Sequence, residues 1–155
     1  AISIFSCTML PVKAVREAVI TTLIEWHDKF VSVIYVNDES SVTTFDITPS
    51  YIPNGFSQVE TTDENSGFYY GQFSDSHNNW FDILVIPIEN TQETFLDNEF
   101  STYYSINFNG IQAIWGIMND GSNTLLWERG TLSFQVCGNL DLTELIKISE
   151  KIGVE

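Results

Sequence analysis

The groups able to do chemistry are few. The chain of 155 residues carries two histidines, His27 and His77, and two cysteines, Cys7 and Cys137. No Cys or His cluster has zinc spacing. No serine nucleophile elbow, phosphate-cradling loop or dinucleotide fingerprint occurs. Carboxylates are abundant: 21 Asp and Glu against 6 Lys and Arg, a formal charge of −15. Asp63, Glu64 and Asp75 fall in polar loops where a calcium ion could be met. They lack the ordered spacing of a calcium loop and read as solvated turn residues. A carboxylate pair for glycoside hydrolysis has nothing to single it out in so acidic a chain. His27 beside Asp28 reads as a solvated pair, and His77 sits in a polar loop. The expectation is therefore no catalytic residue, no metal ligand and no cofactor, with the binding residues left unnamed by the sequence.

Two further sets of residues bear on function. Cys7 and Cys137 could pair, but sequence cannot bring their Cα atoms together. Two free thiols, with Cys137 packed as a small hydrophobe, is the favoured reading. Aromatic residues are in excess, with 11 Phe, 6 Tyr and 4 Trp. Phe68, Tyr69, Tyr70, Trp80, Phe81, Tyr103 and Tyr104 crowd the middle of the chain. Core filling accounts for most of them; a polar-rimmed groove for a peptide, glycan or lipid would use the same residues. The acidic balance argues against nucleic acid and anionic membrane surfaces, which both select Lys and Arg.

The elements that must position these groups are clearest from Ser101 to Ile152. Asn109-Gly110, Asp120-Gly121 and Arg129-Gly130 are hairpin-turn candidates. Between them Ile111, Ala113, Trp115 and Ile117 share one face, as do Leu125 with Trp127, and Leu132, Phe134 and Val136. Period-two alternation between tight turns predicts an antiparallel meander with one buried face. Asp141 is placed to cap a helix, with Glu144 at capping-box spacing and Leu140 and Leu145 at staple positions. Leu142, Leu145, Ile146, Ile148 and Ile152 form its apolar stripe, and Gly153 reads as its C′ residue.

These residues also carry a likeness. Asn123-Thr124-Leu125-Leu126-Trp127-Glu128, Gly138-Asn139-Leu140-Asp141 and Glu144-Leu145-Ile146-Lys147-Ile148 resemble a family of domains of unknown function. That family forms the extracytoplasmic, C-terminal end of anti-sigma-factor-like proteins of Gram-positive bacteria. Tyr51-Ile52-Pro53-Asn54-Gly55-Phe56 is similar to the family's opening Tyr-x-Pro-x-Gly-Phe/Tyr element. The likeness covers Tyr51 to Ile152, and no catalytic signature belongs to it.

Upstream, apolar residues at Val15, Val19, Leu23, Trp26 and Phe30, widened by Ile20 and Ile24, predict an amphipathic helix of about five turns starting near Pro11. Ala14-Val15-Arg16-Glu17 fits the helix that follows the membrane segment in family members. Residues 1–10 are apolar and too short to span a bilayer. Three readings stand for them: the outer end of a transmembrane helix, a poor acylation match at Cys7, or an ordinary apolar segment. The family context favours the first. Phe30 to Val36 predicts a strand, and so do Phe56 to Thr61, Phe68 to Phe73 and Trp80 to Ile88. The last is apolar on both faces apart from Asp82, as a central strand should be. Glu89 to Phe100 is acidic and irregular and reads as a short strand and a loop.

The expected fold is a single α+β domain over residues 11–155. An antiparallel sheet of about six or seven strands would pack against an N-terminal and a C-terminal helix. The resemblance implies a non-catalytic extracytoplasmic sensing or interaction module, anchored to the cell membrane in a signal-transduction regulator. Its partner would be an extracellular protein, peptide, glycan or lipid. A lipid or lipoprotein carrier with an apolar groove is the alternative, and a cell-wall hydrolase stands behind both.

Overall fold

The computed structural model describes residues 2–4, 21–26, 30–36, 45–62, 67–88, 92–99 and 101–154. The chain forms β1 (Ile2–Ile4), β2 (Thr21–Trp26), β3 (Phe30–Val36), β4 (Ile47–Pro49), β5 (Ser57–Thr61), β6 (Tyr69–Ser74) and β7 (Trp80–Pro87). Then come β8 (Gln92–Asp97), β9 (Ser101–Phe108), β10 (Ile111–Met118), β11 (Asn123–Arg129) and β12 (Leu132–Gly138), followed by α1 (Leu142–Glu150) and β13 (Ile152–Val154).

Seven strands make the main antiparallel sheet in the order β5-β6-β7-β12-β11-β10-β9. The predicted meander is its β9 to β12 half. Period-two alternation gives each strand two faces. On the front face Phe81, Ile83, Val85, Leu125, Trp127, Phe134 and Val136 pack with Leu145 and Ile148 of α1 in one buried cluster. Direct cross-strand pairs place aromatic rings against each other there. Phe73 stacks on Phe81 with centroids 4.7 Å apart, and Trp127 stacks on Phe134 at 5.1 Å.

The back face is covered by a second sheet, β1-β2-β3-β8. Ile24, Val31, Val33 and Tyr35 cluster with Ile88 and Ile114, with Leu96, Tyr103 and Leu126 packed around them. Tyr35 joins the layers: its hydroxyl meets Ser133 beside Glu128, and burial first, then the Glu128 charge, pushes its pKa up to about 12. The result is three layers: helix, seven-stranded sheet, four-stranded sheet.

The expectation of two helices on one face is corrected here. Among the described residues α1 is the one helix. Residues 21–26 and 30, read as the end of an amphipathic helix, are strands β2 and β3. Thr21, Thr22 and Ile24 are β-branched, and pairing β2 with β3 outweighed a helical stripe that residues of that kind support poorly. The rest of that stripe, residues 11–20, lies outside the described residues, as do residues 1 and 5–10, Cys7 among them, of the segment 1–10 read as the end of a membrane anchor; its residues 2–4 form β1. The segment read as a short strand and a loop contains β8, which pairs with β3 in the second sheet.

Turn chemistry also differs in detail. Asn109 and Gly110 both take positive φ, 50° and 78°, as a type I′ turn needs. At Asp120-Gly121 only Gly121 does, and Asp120 Oδ1 instead accepts from Ser122 N at 2.9 Å. The third hairpin turns on Gly130-Thr131, between the paired Arg129 and Leu132, with Gly130 at φ 62°.

Candidate binding surface

The signature residues converge on the front layer and its closing helix. Asp141 Oδ1 accepts from Glu144 N at 2.8 Å, which is the N-cap expected from the sequence. The reciprocal half of a capping box is not made. The Glu144 carboxylate instead accepts from the Tyr51 hydroxyl and from Lys147 Nζ at 2.9 Å. Those two bonds, Tyr51 first, hold its pKa below the usual range. Gly153 is not a C′ residue but sits in β13, because the chain leaves the helix at Lys151 straight into a strand paired with β4.

Asn139 is a clamp. Its Oδ1 accepts from Trp80 N at 2.7 Å, its Nδ2 donates to Asn78 O at 3.2 Å, and its own N–H donates to Trp80 O at 3.1 Å. Gly138 beside it lets β12 approach β7: a Cβ there would stand 2.5 Å from Trp80 O. Asn123 accepts from Trp115 Nε1 at 2.9 Å and donates to Leu140 O at 2.9 Å. Arg129 donates to Ile152 O at 2.8 Å and lies 4.9 Å over the Phe134 ring. Phe56, after the positive φ of Gly55, packs 5.3 Å from Phe81.

Other sequence candidates are dispersed. Asp75 organises its own loop, accepting from His77 N at 2.8 Å, Asn79 N at 2.9 Å and Asn79 Nδ2 at 2.8 Å. The Asn79 bond leads in lowering its pKa. Asp63, Glu64 and His27 lie outside the described residues. No group of three His, Cys, Asp or Glu able to hold a metal occurs among the described residues. Of the aromatic set, Phe81 is core, Tyr69 packs against the front cluster and Tyr103 against the back one. Tyr104 and Phe68 are exposed. These rings do not gather into one groove.

What does gather is a row that the sequence reading did not single out. Strand register aligns Glu60, Gln72, Asp82, Cys137, Thr124, Gly116 and Tyr103 straight across the seven-stranded sheet. Alternation puts them opposite the helix, since Phe73, Phe81, Val136 and Leu125 face it. Gln72 and Tyr70 hydrogen-bond Asp82, yet burial raises its pKa, with the Glu60 charge adding to that. Its Oδ1 is buried without a hydrogen-bond partner. Thr124 is 3% exposed, and its Oγ1 is likewise without an oxygen or nitrogen partner. The Cys137 thiol lies beside it, and sulfur is a weak partner. Cys137 is free, and its thiol is pushed up by burial first and then by the charges of Asp82 and Asp120. That is the reverse of what a nucleophilic thiolate needs. The available signal was the one acid in an otherwise apolar strand.

Fold and site together define a sheet-rich α+β module whose signature residues hold its front layer closed while a polar row crosses its back. The family described as a domain of unknown function (DUF4367) matches residues 46–152, and the chain belongs to it. No curated protein matches the chain. The matched span starts at the edge of β4 and ends on the first residue of β13, and those two strands pair to close the unit. Among the described residues no helix is long and apolar enough to cross a membrane.

Proposed function

We propose that this chain is a non-catalytic sensing or interaction domain on the extracytoplasmic side of a membrane-anchored, anti-sigma-factor-like regulator of a Gram-positive bacterium. The observation that carries the reading is family membership over one closed structural unit. The motif likeness to the outer end of such regulators supports the location. Tyr51, Asn139 and Glu144 spend their polar groups on holding the helix and strands in place. That economy suits a recognition scaffold better than a reaction centre.

The test is the parent gene and its output. A regulator of this kind carries a sigma-binding segment and one membrane span ahead of this domain. Deleting the domain then changes transcription from the cognate sigma-dependent promoter while the membrane-tethered remainder persists. A parent chain with a cleavable signal and no span, or a measured turnover by the purified chain, would overturn the reading.

A further inference from the structure

We propose that β9 is the seam of a two-fold dimer, in which a second copy of this chain pairs its own β9 antiparallel along the free edge of the seven-stranded sheet. The dimer stands on the strand alone and does not need the regulator reading.

Strand β9 ends the sheet order, and among the described residues nothing pairs with its outer side. An open edge invites pairing with another chain unless it is blunted by charge, proline, a bulge or shortness. The other edges among the described strands are blunted in these ways. Strand β5 carries Glu60 and shifts register between Gln58 and Glu60. Strand β8 carries Glu93 and Asp97, and β1, β4 and β13 have three residues each. Strand β9 has eight residues, with no charge, no proline and an unbroken register against β10.

The hairpin fixes which backbone groups are open. Phe108 and Ile111 flank the two-residue Asn109-Gly110 turn and so form a hydrogen-bonded pair. Alternation then turns the N–H and C=O of Thr102, Tyr104 and Ile106 toward β10, and those of Ser101, Tyr103, Ser105 and Asn107 outward. A two-fold axis normal to the sheet can set Tyr104 opposite its own copy. The outward groups then pair Ser101 with Asn107 and Tyr103 with Ser105, for about eight backbone hydrogen bonds. Tyr104 is 45% exposed and lies 5.0 Å from Trp115 in a tilted stack, so two such ring pairs meet at the axis.

Charge selects the occupant. A chain of net charge −15 meets its own copy with least repulsion along an uncharged strand, and a basic partner would find no carboxylate on β9. About the axis no like charges face each other. Two copies use up both open edges, so assembly stops at the dimer. A single strand pair falls short of a standard interface, which sets the expected dissociation constant at about 10–100 µM.

Sedimentation velocity on the whole chain should show a monomer–dimer equilibrium that tightens as salt rises, because salt screens the repulsion between two acidic copies. Amide hydrogen exchange should slow with concentration at Tyr103, Ser105 and Asn107 and stay unchanged at Thr102, Tyr104 and Ile106. Tyr104→Glu sets two carboxylates face to face and should weaken association by about tenfold. Val59→Glu, on the blunted β5 edge, should change it less than about twofold. A native chain still monomeric at about 500 µM would overturn the dimer. That holds whether its outward β9 amides exchange freely, as on an edge kept for another protein, or are already protected by the chain itself. Association that leaves those amides unchanged, weakens with salt, or suffers as much from Val59→Glu as from Tyr104→Glu would also overturn it. The exchange readout uses the native chain and depends on no variant folding.

Discussion

Gly138→Ala tests whether the β7–β12 junction is as tight as its geometry says. Gly138 does not use a positive φ, so the substitution strains no dihedral and acts by volume alone. The added methyl would stand 2.5 Å from Trp80 O and 2.8 Å from Phe81 Cβ, where real Cβ atoms keep at least 3.0 Å. Trp80 O must therefore retreat by about 0.5 Å, and it is backbone in a central strand, not the end of a flexible side chain. The same oxygen accepts from Asn139 N at 3.1 Å, and a retreat of that size takes the bond past normal range. Overpacking costs about 1–3 kcal/mol and the weakened bond about 1 more. At about 2–4 °C per kcal/mol for a chain of this size, the melting temperature should fall by about 5–15 °C. Calorimetry and urea unfolding measure it. Asn139→Ala combined with Gly138→Ala should lose less than the sum, because both act on one junction. Gly153→Ala, whose methyl would meet Thr48 O at 3.2 Å, is the mild control. A drop below about 2 °C for Gly138→Ala would show that the junction yields and refute the reasoning.

Acid should act on two groups with opposite sign. Asp75, Asp120 and Glu144 have pKa values held down by hydrogen bonds from Asn79, Ser122 and Tyr51. Their stabilisation is present above the ordinary values of 3.8 and 4.5 and is lost as pH falls through the lowered folded values, so urea midpoints should drop below about pH 4. Asp82 is raised, so its contribution is full in acid and lost as pH climbs through the folded pKa. Asp82→Asn should accordingly raise the urea midpoint at neutral pH, with the difference shrinking in acid; no gain at neutral pH would contradict the burial argument. Removing residues 1–44 should strip β8 of its partner β3 and bare Ile88, Ile114 and Leu126. Light scattering should then show concentration-dependent association, and a stable monomer would count against the three-layer packing.

The half of the fold after Ser101 was legible because its signals are local. Tight turns, alternation and an N-cap each act within a few residues, and the structure keeps β9 to β12 and α1 close to those limits. The two helical details that failed did so through distant partners. Tyr51 took the Glu144 side chain, and β4 took the residues after Lys151. The second sheet was missed for the same reason. A stripe at Leu23 and Trp26 is ambiguous between helix and strand until β3 and β8 supply the pairing, and no local residue encodes that. The polar row was illegible because its members come from β5, β6, β7, β12 and β11 and meet only through register. Only Asp82, an acid in an apolar strand, stood out, and one residue cannot reveal a row.

The two faces of the main sheet therefore divide the work. The front face is closed by its own family unit: α1 fills it and β4 pairs with β13 to lock both ends. The back face is closed by a sheet the unit does not fully own, since β1 to β3 precede residue 46 and only β8 comes from within the matched span. Strand β8 is thus the joint between the two parts. It is also the next strand after β7 in sequence, starting four residues beyond Ile88, which packs in the second cluster. Asp82 lies on β7, the strand that leads into this joint, so the buried acid of the main sheet and the strand that ties in the second sheet are neighbours in sequence.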